Sequence, residues 1–343
     1  MRIGVLTAGG DAPGLNAAIR AIGEMAIRDG HEVVGIANGW AGLALEFAGT
    51  SLFANDLRGV IAQGGTLLGT ARYNLEDPVG GRDRVLAAID EHLDALVAIG
   101  GDGTQRISTW LADKGAPIIG VPKTLDNDLQ GTDYCIGFDS AISTVAESLD
   151  RLYTTAASHH RVMVVETMGR STGWVAALGG LAGGADMIVI PEFPVTMDEI
   201  VQHLDKRRSA GLAFSIVVVA EGVNLATLGG IEMSELTGEG VGTIRLATRG
   251  VGQFVASKIE ESGDFEVRTT VLGHLQRGGS PTAHDRIWAT RVGAGAYEAV
   301  LAGKFGMIPV VRDDSVVLAQ LSEVCEGRRK VPREIYELCS VFF

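Results

Sequence analysis

Residues 94–104 read Asp-Ala-Leu-Val-Ala-Ile-Gly-Gly-Asp-Gly-Thr. The run Ala95–Ile99 is continuously apolar, as a strand covered on both faces must be. It gives way to two glycines, a carboxylate, a third glycine and a threonine, and a segment of helical period, Thr104–Asp113, follows. A strand, a glycine-rich turn and a helix make up half of a βαβ unit. In open parallel sheets, ligands gather beyond the carboxyl ends of such strands.

The same alternation extends in both directions. Strands are expected at Ile3–Thr7, Glu32–Ile36, Ile118–Val121, Val162–Val165, Met187–Ile190, Ser215–Val219 and Val267–Leu272. Helices are expected at Leu15–Arg28, Arg82–His92, Ala141–Ala157, Thr172–Gly180, Met197–Ser209, Thr243–Glu261 and Thr282–Leu301. This rhythm predicts an α/β fold with mostly parallel sheets and helices on both faces. Ser280-Pro281 reads as a helix start, a capping residue followed by proline in the first turn.

At 343 residues the chain is too long for one ordinary core and suits two domains. No repeat, low-complexity tract or Pro/Ser linker divides it, so short crossings are expected, more than one in number. Hydrophobic residues make up 46% and charged residues 21%, which excludes a disordered chain. The net charge is −13, and the longest basic cluster is Arg328, Arg329 and Lys330. A nucleic-acid backbone binder needs a basic stripe, so that class is excluded. Anionic ligands have to be met by a few locally placed Arg and Lys residues. Cys135, Cys325 and Cys339 form no CxxC pair, as expected of a reduced, cytoplasmic compartment. The opening MRIGVLTAGGD reads as a strand without a signal-peptide layout, and no run of about 18 apolar residues predicts a membrane span. After Ser322 the chain turns basic and then aromatic, as a packed tail or a subunit contact does.

The strand-end loops carry the chemistry. After Ile3–Thr7 comes Ala8-Gly9-Gly10-Asp11-Ala12-Pro13-Gly14, then a helix. Its glycines let backbone N–H groups approach an anion beside a helix N-terminus; the same residues also read as a simple tight turn. Asp102, held between glycines, can hold Mg²⁺ near phosphate oxygens, although GGDG loops also occur in NAD kinases and diacylglycerol kinases. Pro122-Lys123-Thr124-Leu125-Asp126-Asn127-Asp128 packs two carboxylates, a Thr and a Lys together. Either it positions a general base and its partners, or it is an Asx-rich turn with solvated acids. Arg170 follows Val162–Val165, Glu221 follows Ser215–Val219, and His274, Gln276 and Arg277 follow Val267–Leu272. Arg can neutralise a transferring phosphoryl group, and His with Arg can converge on a phosphate dianion. So many charged strand ends imply one anionic cleft.

The motifs TAGGDAPGLNAAIR, GGTLLGTAR, IGGDGT, PKTLDNDLQGTD, SHHRVMVVETMGR, AEG and TVLGHLQRGGSPTAHDR occur in the order seen in 6-phosphofructokinases. From residue 1 to about residue 310 the chain resembles that family, and Lys123 with the C-terminal tail looks like its actinobacterial branch. The resemblance implies two Rossmann-like three-layer domains and an ATP-dependent kinase of fructose 6-phosphate, usually a homotetramer. The expected domains are 1–138 with 251–303 for the donor, 139–250 with 304–320 for the sugar phosphate, and 321–343 as a tail.

The resemblance also implies roles for individual residues. Gly9, Gly10, Tyr73, Gly103, Thr104 and Lys123 contact the donor, Arg72 bridges both substrates, and Asp102 holds Mg²⁺. Asp126 is the base on the sugar 1-hydroxyl, with Thr124 and Asp128 beside it. Arg170 stabilises the transferring phosphoryl group. Met168, Gly169, Glu221, His274 and Arg277 hold the sugar phosphate, and Arg161 and Arg268 reach it from a neighbouring subunit. In the family, pyrophosphate-dependent members usually carry Asp at position 103 and Lys at 123, whereas common ATP-dependent bacterial members carry Gly at both. Gly103 with Lys123 is mixed, and because Asp would place charge and bulk where the ATP α-phosphate lies, Gly103 predicts ATP. Trp40 is expected to stack on the base, and Ile107 to alter the nucleoside pose. Of the family's basic effector pocket Arg20 remains, the other positions reading Glu24, Tyr153, Ala210, Leu212 and Phe214, so weak response to ADP and phosphoenolpyruvate is expected. A pyrophosphate-dependent enzyme and a silent sugar-phosphate sensor are the alternatives.

Overall fold

Strands β1 (Arg2–Thr7), β2 (Glu32–Ile36), β3 (Gly49–Leu52), β4 (Ala95–Gly100) and β5 (Ile118–Pro122) alternate with helices α1 (Leu15–Arg28), α2 (Ala41–Ala44), α3 (Gly81–His92) and α4 (Asp102–Asp113). The computed structural model describes residues 1–71, 73–75, 80–230 and 250–343. The chain divides into two compact units. The first contains Met1–Ser140 and Arg277–Arg329, the second Ala141–Gln276 and Lys330–Phe343. The chain therefore passes from one to the other three times, with no linker segment at any passage.

The first unit is built on a seven-stranded sheet in the order β11-β10-β5-β4-β1-β2-β3, where β10 is Met307–Arg312 and β11 is Ser315–Gln320. Neighbours from β10 to β2 run parallel, and the two edges, β11 and β3, run antiparallel. Side chains alternate between the faces. On β4, Ala95, Val97 and Ile99 enter one apolar cluster, and Leu96 and Ala98 enter the other. Each fully buried Val, Leu or Ile contributes about 1.5–3 kcal/mol, which explains why the strand tolerates no polar position. Helix α1 packs on α9 (Ala283–Leu301). Gly293 permits the approach, since a Cβ there would lie 2.8 Å from the Ala18 carbonyl oxygen.

The second unit carries a parallel sheet in the order β7-β8-β6-β9, formed by β6 (Val162–Thr167), β7 (Met187–Val189), β8 (Ser215–Ala220) and β9 (Val267–Val271). Among the described residues its helices are most of α5 (Phe138–His159), then α6 (Trp174–Ala182), α7 (Met197–Ser209), α8 (Val251–Ser262) and α10 (Arg333–Ser340). Thr196 and Glu199 form a capping box at the start of α7, each satisfying a backbone N–H that the helix leaves open. Residues 243–249 of the expected helix lie outside the described residues.

The expected domain boundaries need correction. Strand β9 hydrogen-bonds β6, with Val162 opposite Val267, so 251–276 belongs with the second unit. Strand β10 pairs with β5, Met307 opposite Ile119, so 304–320 belongs with the first. The tail is divided between them: 321–329 stays with the first unit, while α10 packs on α6 and β7 of the second. The helix start at Ser280-Pro281 also moves. Thr282 caps α9 by accepting from the Asp285 N–H, and the Ser280 hydroxyl donates to the Ala62 carbonyl.

Asp285 fixes the entry to α5. Its fully buried carboxylate accepts from the Gly137 N–H at 2.7 Å, the Ser140 N–H at 2.8 Å and the Ser140 hydroxyl at 2.6 Å, as well as from the Tyr134 hydroxyl. Replacing Asp285 by Asn sets an N–H₂ against these donors. Denaturant titration of Asp285→Asn should show a loss of about 3 kcal/mol, and unchanged stability would remove the carboxylate from this role.

Candidate active site

Strand order decides which loops meet. From β1 the chain moves to β2 on one side, and β4 lies on the other. The gap between these opposed crossovers is where an open α/β sheet binds ligands. The loops after β1, β4 and β5 lie side by side there and line a cleft of ≈ 260 Å³ with Gly9, Gly10, Gly101, Asp102, Gly103, Thr104, Lys123 and Thr124. Trp40, Ala71, Tyr73, Ile107 and Arg277 complete it. Arg72 lies outside the described residues.

Lys123 holds this arrangement together. Its ammonium is buried and donates to the Ala8 carbonyl at 3.2 Å and the Gly10 carbonyl at 2.5 Å. Its backbone N–H donates to the Gly100 carbonyl at 3.0 Å. One residue thus ties the β5 loop to the loops of β4 and β1. Burial and then the nearby Arg277 guanidinium lower its pKa to about 8. Arg277 donates to the Asp11 carbonyl at 2.9 Å, and a Cβ at Gly10 would lie 2.6 Å from its Nη1. Arg277 therefore lies against the glycine loop of β1.

The acidic loop has internal supports. Asn127 adopts a left-handed backbone with φ 49°, a region in which Asn is enriched. Its side chain donates to the Asp133 carbonyl at 3.2 Å and accepts from the Cys135 N–H at 2.9 Å. The Thr124 hydroxyl accepts from the Asp126 N–H at 3.2 Å and donates to Asp128 at 3.3 Å. Asp126 is partly exposed, while Asp128 is buried. The sequence signal for this support is the place of Asn127 between two aspartates in a turn.

Gly103 faces open space: nothing lies within 4 Å of where its Cβ would stand, and its φ is not in the left-handed range. Trp40 differs from expectation. It is 2% exposed and packs in an apolar cluster with Leu6, Ala8 and Ile36, so it floors the cleft and offers no free face for stacking. Asp102 opens α4 with its side chain 17% exposed, and Arg106 donates to both of its oxygens at 3.0 and 3.1 Å. Among the described residues no three His, Cys, Asp or Glu side chains cluster as a metal cage. One cleft-lining carboxylate nevertheless fits Mg²⁺, which takes one or two carboxylates and completes its shell with substrate phosphates and water.

In the second unit the ends of β6, β8 and β9 bring together Met168, Gly169, Arg170, Glu221, His274 and Gln276. The Met168 N–H donates to Gln276 at 3.3 Å, and the Gly169 N–H to Glu221 at 3.4 Å. Gly169 has φ 133°, and a Cβ on Gly222 would strike its carbonyl oxygen at 2.6 Å. Arg170 and His274 are exposed. Arg161 and Arg268 are not in this group. They share Glu266, at 2.5 and 2.7 Å, and sit at the amino ends of β6 and β9, about 17 Å away along the strand. Arg20 pairs with Glu24 at 2.9 Å.

A phosphofructokinase family model matches residues 2–300. An ATP-dependent 6-phosphofructokinase of Chloroflexus aggregans is 46% identical over 349 residues, covering 99% of this chain and 95% of that protein. A pyrophosphate–fructose 6-phosphate 1-phosphotransferase of Amycolatopsis mediterranei is 45% identical over 347 residues, covering 100% of both. The solved phosphofructokinase of Saccharomyces cerevisiae is similar with a TM-score of 0.80 and 32% identity over 95% of this chain; the match spans 45% of the yeast polypeptide.

The lowered pKa of Lys123 has a defined sign. The folded state penalises the charged form, so the cost is complete below about pH 8 and is relieved as pH rises toward the unfolded value of 10.5. Between pH 7 and pH 9.5 the wild type should gain about 2 kcal/mol relative to Lys123→Met in denaturant titrations. Parallel pH profiles would contradict the burial of this ammonium.

Proposed function

We propose that this chain, which belongs to the phosphofructokinase family, transfers the terminal phosphoryl group of ATP to the 1-hydroxyl of fructose 6-phosphate. The products are fructose 1,6-bisphosphate and ADP. The observation that carries the donor is Gly103. Relatives named for ATP and for pyrophosphate stand at 46% and 45% identity, so overall likeness does not choose between them. Gly103 leaves open space on the wall of the donor cleft, which supports room for the phosphates of a nucleotide. Lys123, the pyrophosphate-like residue, has two of its three N–H donors on main-chain carbonyls, which leaves it less to offer a small dianionic donor.

Phosphoryl transfer depends on positioning and charge neutralisation more than on covalent chemistry. The backbone of Gly9 and Gly10, with Tyr73, Thr104 and Lys123, would hold the donor. Arg72 would bridge both substrates. Asp126 would accept the proton of the sugar hydroxyl as the nucleophilic oxygen forms its bond to phosphorus, with Thr124 and Asp128 orienting it. Arg170 would neutralise charge on the transferring group. Met168, Gly169, Glu221 and His274 would hold the sugar phosphate, with Arg161 and Arg268 serving a neighbouring copy in a homotetramer. The position of Arg277 beside Gly10 favours the phosphate path for it. Mg²⁺ held by Asp102 would supply neutralisation of the donor phosphates when bound. No helix among the described residues is long and apolar enough to cross a membrane, and we place the enzyme in the cytoplasm, in glycolysis.

A second reading, pyrophosphate as donor, is favoured by the residue type at position 123, though not by its surroundings, and by the name of the Amycolatopsis relative. Initial rates with ATP and with pyrophosphate, at fixed fructose 6-phosphate and Mg²⁺, separate the two; faster turnover on pyrophosphate would overturn the ATP assignment. Asp126→Ser should lower kcat by about 10²–10⁴, the range of a general base, with donor KM little changed. Near-full turnover in that variant refutes the role of Asp126. Gly103→Asp carries no backbone strain and should cut kcat/KM for ATP by about a hundredfold through charge and bulk. Unchanged ATP kinetics would count against the steric account of donor choice.

A further inference from the structure

The C-terminal segment of the first unit crosses the acidic loops. The Arg106 guanidinium donates to the Cys325 carbonyl at 3.0 Å. Leu129 and Arg328 form an antiparallel bridge, and the Arg329 N–H donates to the Asp128 carbonyl at 2.9 Å. Held this way, the Arg328 side chain joins two carboxylates. Its Nη1 pairs with Asp128, and its Nη2 lies 3.3 Å from Oδ2 of Asp102. The Asp128 side chain is 5% exposed and that of Arg328 39%. The inner contact is therefore sheltered, while the outer one, on the cleft-lining Asp102, is open to exchange.

A guanidinium and a divalent cation compete for the same carboxylate oxygens, and two cations on one carboxylate repel each other. Arg106 already engages both oxygens of Asp102, so Arg328 is a second positive group there. We propose that Arg328 is a positioning residue that stands in for the metal: with the cleft free it bridges Asp102 and Asp128, and it yields Asp102 when a metal–nucleotide donor binds. Main-chain pairing through Leu129 and Arg329 keeps the guanidinium on Asp128 meanwhile, so the acidic loop retains its tie as the outer carboxylate is handed over. This inference rests on the donor reading given above.

The test uses the full chain and ADP as probe. Calorimetric titration gives the dissociation constant of ADP in EDTA and again in excess Mg²⁺, and the first divided by the second reports how much the metal helps. Removing the competing charge in Arg328→Met should raise that ratio by about tenfold, while Arg328→Lys, which keeps the charge, should stay near the wild type. Should the Met variant fail to fold, Arg328→Gln takes its place with the same expectation. An unchanged ratio in the neutral variant overturns the proposal, as does a Lys variant that behaves like the Met one. A wild type that binds ADP with the ratio insensitive to Arg328 sinks this inference alone; a wild type that binds no ADP sinks the donor reading and this with it.

Discussion

A buried ammonium needs hydrogen-bond partners, because an unpaired charge in an apolar interior is expensive. Lys123 finds them in the carbonyls of Ala8 and Gly10, and that requirement brings the β5 loop onto the β1 loop. The backbone bond from Lys123 to Gly100 adds the β4 loop. Glycine suits both positions of the β1 loop: Gly9 turns at φ 85°, and Gly10 leaves the Arg277 guanidinium room to lie against the backbone. The glycine loops of β1 and β4, the Asp102 carboxylate and Lys123 with Thr124 thereby share a single cleft.

The two units use strand ends in the same way. In each, the loops beyond the carboxyl ends of adjacent parallel strands carry the polar residues, and β4, β5, β6 and β8 beneath them are buried along their whole length, whereas β9 is an edge with Arg268 and Val271 exposed. Rigid, doubly covered strands hold loop residues more precisely placed than free loops could be. The pair at the opposite end, Arg161 and Arg268, obeys a different logic. Both are occupied with Glu266, an ion pair on the surface that a competing anion could replace at small cost, since exposed salt bridges contribute little.

Most strands and helices were legible in the sequence to within a few residues because their apolar periodicity is strong. The exceptions have physical causes. The β10–β11 hairpin turns on Asp313-Asp314, with φ values of 47° and 57°, where glycine or Asn-Gly is the usual signal; without it the turn was invisible. Strand β3, Gly49–Leu52, is a four-residue edge in which only Leu52 is buried and offers little pattern. Asp102, Lys123, Thr124 and Gly103 were legible because glycines and charges follow apolar runs directly. Arg328 was visible only as part of a basic tail, since nothing local in Gly327-Arg328-Arg329-Lys330 points to carboxylates 200 and 226 residues away in sequence.

By itself the sequence determined the local elements and the chemical content of each strand-end loop, since hydrophobic period and turn chemistry act over a few residues. Tertiary structure alone decided which loops are neighbours, which unit owns β9 and β10, that Trp40 is floor and not stacking face, and that Arg328 meets Asp102 and Asp128. Those outcomes follow from strand order and from pairings between distant segments, where one strand's hydrogen-bonding edge selects its neighbour. No window of sequence contains both partners.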